Sequence, residues 1–100
     1  MTPTGVDGES GLPRSVALLN NYPNPFNPST MIGYQIPSQM NVTLEVYNLL
    51  GQRVASLVDG VQLAGSYQVR FDAKELASGI YWYQLKAGTV RQTKRMLLIR

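Results

Sequence analysis

Apolar residues recur at every second position in the most apolar stretches of this chain, and that period of two decides what it can become. Val42, Leu44 and Val46 alternate with Thr43, Glu45 and Tyr47, and Tyr67, Val69 and Phe71 alternate with Gln68, Arg70 and Asp72. Successive side chains of a strand point to opposite faces, so the pattern makes strands with one buried face; a helix would scatter the same residues around its axis. No helical period is sustained anywhere, and the apolar runs are short and separated by turn residues. The fold class this implies is all-β, an immunoglobulin-like antiparallel β-sandwich of about seven strands. At 100 residues the chain buries roughly 60–70% of its unfolded surface, enough for one core.

The strands are expected over residues 16–20, 30–36, 42–47, 52–58, 67–72, 79–86 and 89–100. Residues 48–51 read as a turn with Gly51 at positive φ, residues 59–65 as a connection, residues 73–78 as a connection carrying one helical turn, and Ala87-Gly88 as a hairpin. Alternation predicts a core of Ile32, Tyr34, Ile36, Val42, Leu44, Val46, Tyr67, Val69, Phe71, Tyr81, Tyr83 and Leu85. Met96 to Ile99 form an apolar quartet that alternation alone does not assign to faces. Residues 1–15, broken by Pro3, Gly5, Gly8, Gly11 and Pro13, read as a flexible linker ahead of a domain spanning 16–100.

The chain contains neither cysteine nor histidine. Disulfides, thiolate nucleophiles, the usual zinc sites and an imidazole base are therefore excluded, and the six carboxylates are scattered in sequence, Asp72 and Glu75 being the pair to inspect within the expected domain. The chain is read as a non-enzyme with no cofactor and no metal. Asp7-Gly-Glu9 and Asp59-Gly60 are read as turn chemistry, being too poor in oxygen ligands for calcium. No run approaches the roughly 20 apolar residues of a membrane helix, so no membrane insertion is expected.

The net charge of +3 is unevenly placed. Lys86, Arg91, Lys94, Arg95 and Arg100 fall in the last segment with no acid among them, leaving the rest weakly negative. Arg91, Lys94 and Arg95 lack the helix, aromatic platform or Gly-rich loop that accompanies nucleic-acid binding, so no nucleic-acid partner is assigned. Their default role is to stop another chain from adding to a terminal strand.

The most unusual segment is Asn21-Tyr-Pro-Asn-Pro-Phe-Asn-Pro-Ser-Thr30. Pro23, Pro25 and Pro28 forbid ladder donors, so the segment must cross over, and Asn24 and Asn27 are Asx residues suited to capping turns. Tyr22 and Phe26 are candidates to plug the end of the sandwich, or to dock a partner beside rigid prolines. Tyr81 and Tyr83 alternate into the core, Tyr81 standing where sandwiches often hold a tyrosine corner, while Trp82 falls on the second face as a possible contact.

Together with Val46-Tyr-Asn-Leu-Leu-Gly-Gln-Arg-Val54, Ala64-Gly-Ser-Tyr67, Leu76-Ala-Ser-Gly-Ile-Tyr81 and Thr93-Lys-Arg-Met96, this segment closely resembles the type A C-terminal sorting domain of the bacterial type IX secretion system. Related sequences are also similar to the immunoglobulin-like domain of the flagellar hook-capping protein, which implies a structural assembly or spacer module as the alternative. The sorting-domain resemblance implies a C-terminal address, read by an outer-membrane translocon and removed by a cell-surface processing peptidase. It implies an upstream cargo domain in the same chain, passage through the periplasm of a Gram-negative bacterium, and a secreted or cell-surface destination; a monomer is expected. The family's Gly-x-Tyr box falls on Gly65 and Tyr67, and its terminal basic box on Lys94, Arg95 and Arg100, with Met96 beside them; these six are the residues expected to bind the export machinery. Phe71 stands where the family usually has Trp.

Overall fold

The computed structural model describes residues 14–100, and the linker expected over residues 1–15 lies almost entirely outside them. Seven strands follow in order: β1 (Ala17–Leu18), β2 (Ser29–Ile36), β3 (Met40–Tyr47), β4 (Arg53–Gln62), β5 (Gly65–Asp72), β6 (Gly79–Ala87) and β7 (Val90–Leu98). They form two antiparallel sheets, β1-β2-β5 and β4-β3-β6-β7, and the inner faces close on one core in an immunoglobulin-like arrangement.

Ten of the twelve side chains that alternation assigns to the core are buried there. The exceptions are Tyr67 and Val69, which are half-buried and pack against its margin. Their strand explains it: β5 is the outer strand of the three-stranded sheet and has a neighbour, β2, on one side only. Tyr67 still contributes, stacking on the fully buried Tyr34 across the β2–β5 pair at 5.2 Å between ring centres. Leu18, Phe26, Ala73, Ala87, Met96 and Leu98 complete the core.

Three local expectations are corrected. Residues 59–65 are not a connection, because β4 continues to Gln62 and pairs Asp59 with Thr43 and Gly60 with Val42. The ladder to the long strand β3 outweighs the turn preference of Asp-Gly. Two register shifts along the β3–β4 pair are bulges, and they erase the period-two signal that would have marked the full length of β4. Among the described residues no helix occurs; residues 73–78 make one turn, closed by Leu76 N–H donating to Ala73 O at 2.9 Å. The β6–β7 hairpin turns at Gly88 and Thr89, one residue later than expected, since Ala87 pairs with Val90.

Candidate functional site

The Asn-Pro segment and the last strand form a single construction. With prolines at 23, 25 and 28, the segment keeps few backbone donors, and those of Asn21, Tyr22 and Phe26 are used. Tyr22 and Met31 exchange both backbone hydrogen bonds, at 2.9 and 3.0 Å. Phe26 N–H donates to Leu97 O at 3.0 Å, Ile99 N–H donates to Phe26 O at 2.9 Å, and Leu97 N–H donates to the side-chain Oδ1 of Asn24 at 3.0 Å. The segment thus lies alongside the outer edge of β7 and supplies the partners that β7 lacks there. Phe26 is 2% exposed and packs against Phe71 at 6.2 Å, plugging the sandwich end as expected. Tyr22 is instead 80% exposed: its backbone pairs, and its ring has no place in the core. Asn27 and the three prolines lie toward the surface around Phe26.

Upstream of this segment, Tyr83 fastens the crossover from below. Its hydroxyl accepts from Asn21 N–H and donates to Leu19 O, both at 2.9 Å, joining the four-stranded sheet to the chain between β1 and β2. Burial raises its pKa above the usual tyrosine value. Asn21, itself buried, donates through Nδ2 to Pro23 O and Thr30 Oγ1.

The terminal basic box does not act as one unit. Lys94 pairs with Tyr83, so it belongs to the inner face of β7, and it is half-buried. An inward-pointing charge on an outer strand is a known guard against strand addition. Arg95 faces the other way and lies over the ring of Trp82, 5.8 Å from its centre. Arg100 is held: its guanidinium donates from Nη1 to Ala73 O at 3.0 Å and Leu76 O at 2.8 Å, and its N–H donates to Ser78 Oγ at 3.0 Å. The three charges of the box thus sit in three different settings, one inward, one on an aromatic ring and one bound to backbone carbonyls. Met96 and Leu98 are buried while Leu97 and Ile99 face outward, so the apolar quartet does split by alternation.

Gly65 and Tyr67 lie at the other end of the sandwich, where Gly65 pairs with Ile36; the basic box ends beside Gly79, which pairs with Leu98. Gly65 has φ of +154°, a conformation that L side chains rarely adopt. Tyr67 donates through its hydroxyl to Leu63 O at 2.6 Å, and Tyr81 donates to Ala77 O at 2.7 Å. Both rings reach back four residues to a carbonyl before the strand begins, which is the tyrosine-corner arrangement, and they fasten opposite ends of the fold. Sequence reasoning placed one corner and missed its counterpart, although Leu-Ala-Gly-Ser-Tyr67 and Leu-Ala-Ser-Gly-Ile-Tyr81 carry nearly the same signal.

On the outer face of the four-stranded sheet, Tyr47 donates to Glu45 Oε1 at 2.7 Å and Arg53 pairs with Glu45 Oε2 at 3.0 Å. These contacts, the tyrosine hydroxyl first, hold the Glu45 carboxyl below its ordinary pKa.

A two-sheet sandwich with a guarded last strand, paired tyrosine corners and a braced end belongs to the class of immunoglobulin-like modules. Within that class the sequence itself is decisive, for a model of the secretion system C-terminal sorting domain matches residues 20–99. The chain belongs to that family, the sorting domains of the type IX secretion system. A comparison with curated proteins gave no match. Among solved structures, the fold is similar to part of the crystal structure of dimeric latent PorU from Porphyromonas gingivalis, with a TM-score of 0.66 and 20% sequence identity over 95% of this chain and 10% of that one. The chain thus spans about a tenth of the length of that protein, and the likeness concerns the fold.

Proposed function

We propose that this domain is a non-catalytic export signal whose folded sandwich presents β7, with Lys94 and Arg95, to the type IX outer-membrane translocon. Sorting domains of this family mark cargo for type IX secretion; the route in detail, and the residues that are read, are the reading advanced here. The cargo precedes the domain in the same chain, crosses the periplasm of a Gram-negative bacterium and reaches the cell surface, where a processing peptidase removes the domain. It acts as a monomer and needs no cofactor. Gly65 and Tyr67 serve it by fixing the end of the fold rather than by touching the translocon.

One observation carries the reading. The apolar half of β7 is locked into the core through Met96 and Leu98, while among the described residues neither Lys94 nor Arg95 has a carboxylate within salt-bridge distance. A fixed strand whose charges have no carboxylate partner is suited to being read. The test is the double variant Lys94→Gln/Arg95→Gln in a reporter carrying this chain, with Arg100 left intact because it holds the fold together. The expected outcome is a soluble domain with an unchanged melting temperature and cargo trapped in the periplasm. Normal surface display of the double variant would remove β7 from the recognition surface.

A further inference from the structure

The turn between β3 and β4 holds two large apolar residues in water. Leu49 is 66% and Leu50 83% exposed, and the turn that carries them is rigid. Asn48 Oδ1 accepts from Leu50 N–H at 2.9 Å and from Gln52 N–H at 3.0 Å, Asn48 Nδ2 donates to Gln52 Oε1 at 2.8 Å, and Gly51 N–H donates to Asn48 O at 3.0 Å. Gly51 supplies the positive φ, +82°. Asn48 and Gly51 satisfy everything this turn requires, and the two positions between them favour polar residues in an ordinary surface turn. The leucines are not explained by the fold.

They also do not stand alone. Beside them opens a hollow of about 200 Å³ lined by Leu49, Leu50, Gly79, Ile80 and Tyr81 among others. Ile80 is also a wall of a second hollow of about 440 Å³, bounded by Asn24, Pro25, Arg95 and Leu97. The two hollows share Ile80 as a common wall and are neighbours at this end of the outer face, a two-part trough with the leucine turn at one end and Arg95 at the other. Cross-strand register places Arg95 beside Trp82, whose neighbour on the other side is Tyr47, and sets Arg91 and Lys86 farther along the same face, toward the β6–β7 turn. Among the described residues none of Arg95, Arg91 and Lys86 has a carboxylate within salt-bridge distance. Glu45 is occupied by Arg53 and Tyr47. This end of the outer face therefore joins an apolar turn to Arg95, a cation without a carboxylate, and Lys86 and Arg91 continue the positive charge farther along the strands.

We infer that this trough and the leucine turn are a docking surface for a protein whose apolar cleft receives Leu49 and Leu50 and whose carboxylates, bordering that cleft, pair with Arg95. Charge complementarity selects this occupant, since a basic, aromatic flank next to an apolar edge favours an acidic protein surface and repels a second copy of this equally basic face. The inference rests on the reading that the export apparatus recognises this domain, and it assigns the contact to the outer face rather than to the strand edge.

The experiment compares two variants of a reporter carrying this chain in a bacterium with a type IX apparatus. Leu49→Ser/Leu50→Ser removes the apolar end without touching the hydrogen bonds of the turn, and the Lys94→Gln/Arg95→Gln variant tests the terminal strand. The serine variant is expected to melt within a degree or two of the parent and to lower surface display at least tenfold, with Leu49→Met/Leu50→Met restoring it. Normal display of the serine variant overturns the inference, and if the Lys94/Arg95 variant is blocked in the same strain the export reading survives that failure. Sedimentation provides the second arm. A parent that dimerises through this face, and a serine variant that is monomeric, would assign the surface to a second copy and overturn the acidic partner.

Discussion

Tyr83 does more than fill space. Replacing it by Phe keeps the ring but leaves the buried Asn21 N–H without its acceptor, a change expected to cost about 1–3 kcal/mol in denaturant titration at neutral pH. The same hydroxyl makes stability depend on alkaline pH. Because burial raises its pKa in the folded state, the folded protein keeps a proton that the unfolded chain releases above about pH 10, so this stabilisation is complete below that pH and is lost as pH climbs through the raised value. Tyr83→Phe should flatten the decline in melting temperature between neutral and strongly alkaline pH; a decline as steep as the parent's would assign it elsewhere. Arg100 is a second residue whose effect exceeds its exposure. Arg100→Gln is expected to lower stability by about 1 kcal/mol through the carbonyls of Ala73 and Leu76, while Lys94→Gln and Arg95→Gln stay within about 0.5 kcal/mol. Thermal melts of the three single variants separate structural charge from displayed charge.

Among the elements, β7 and the Asn-Pro segment stand or fall together. Asn24→Ala removes the acceptor of Leu97 N–H and should speed hydrogen exchange at Leu97, and through the loosened segment at Ile99, while amides in the β3–β6 ladder keep their protection. Phe26→Ala opens a cavity against Phe71 and is expected to cost about 3–5 kcal/mol, most of the stability of a small domain. The elements also show what a sequence can disclose. Strands β3, β5 and β6 are legible because each buries one face and alternates without interruption. Strand β4 is legible only in part, since its bulges break the alternation and its Asp-Gly pair imitates a turn. Phe26 was a candidate plug from the company of its prolines, but nothing local distinguished it from Tyr22; the distinction is made by β7, some seventy residues away. The anchoring of Arg100 was illegible for the same reason, because hydrogen bonds to Ala73 and Leu76 leave no local pattern. Leu49 and Leu50 lie in the Val46–Val54 motif, yet only the structure reveals that the turn holds them out.

At the scale of the molecule, segments near its two ends in sequence close the sandwich. Gln92 accepts from Leu18 N–H and donates to Val16 O, and Phe26 bridges Leu98. Such long separations must be closed before the core is complete, so folding is expected to be a single cooperative and comparatively slow transition for a domain of this size. Ending the chain after Arg95 should abolish the transition altogether, read as loss of near-ultraviolet circular dichroism, because Met96 and Leu98 leave the core together.

The bridge between Phe26 and Leu98 is parallel, whereas the named strands pair antiparallel. When tension is applied through the residues on either side of the sandwich, the Asn-Pro segment is drawn one way and the end of β7 the other, along their shared direction. Their hydrogen bonds are then sheared together instead of being opened one after another. Loaded along that shared direction, the pair would act as a clasp.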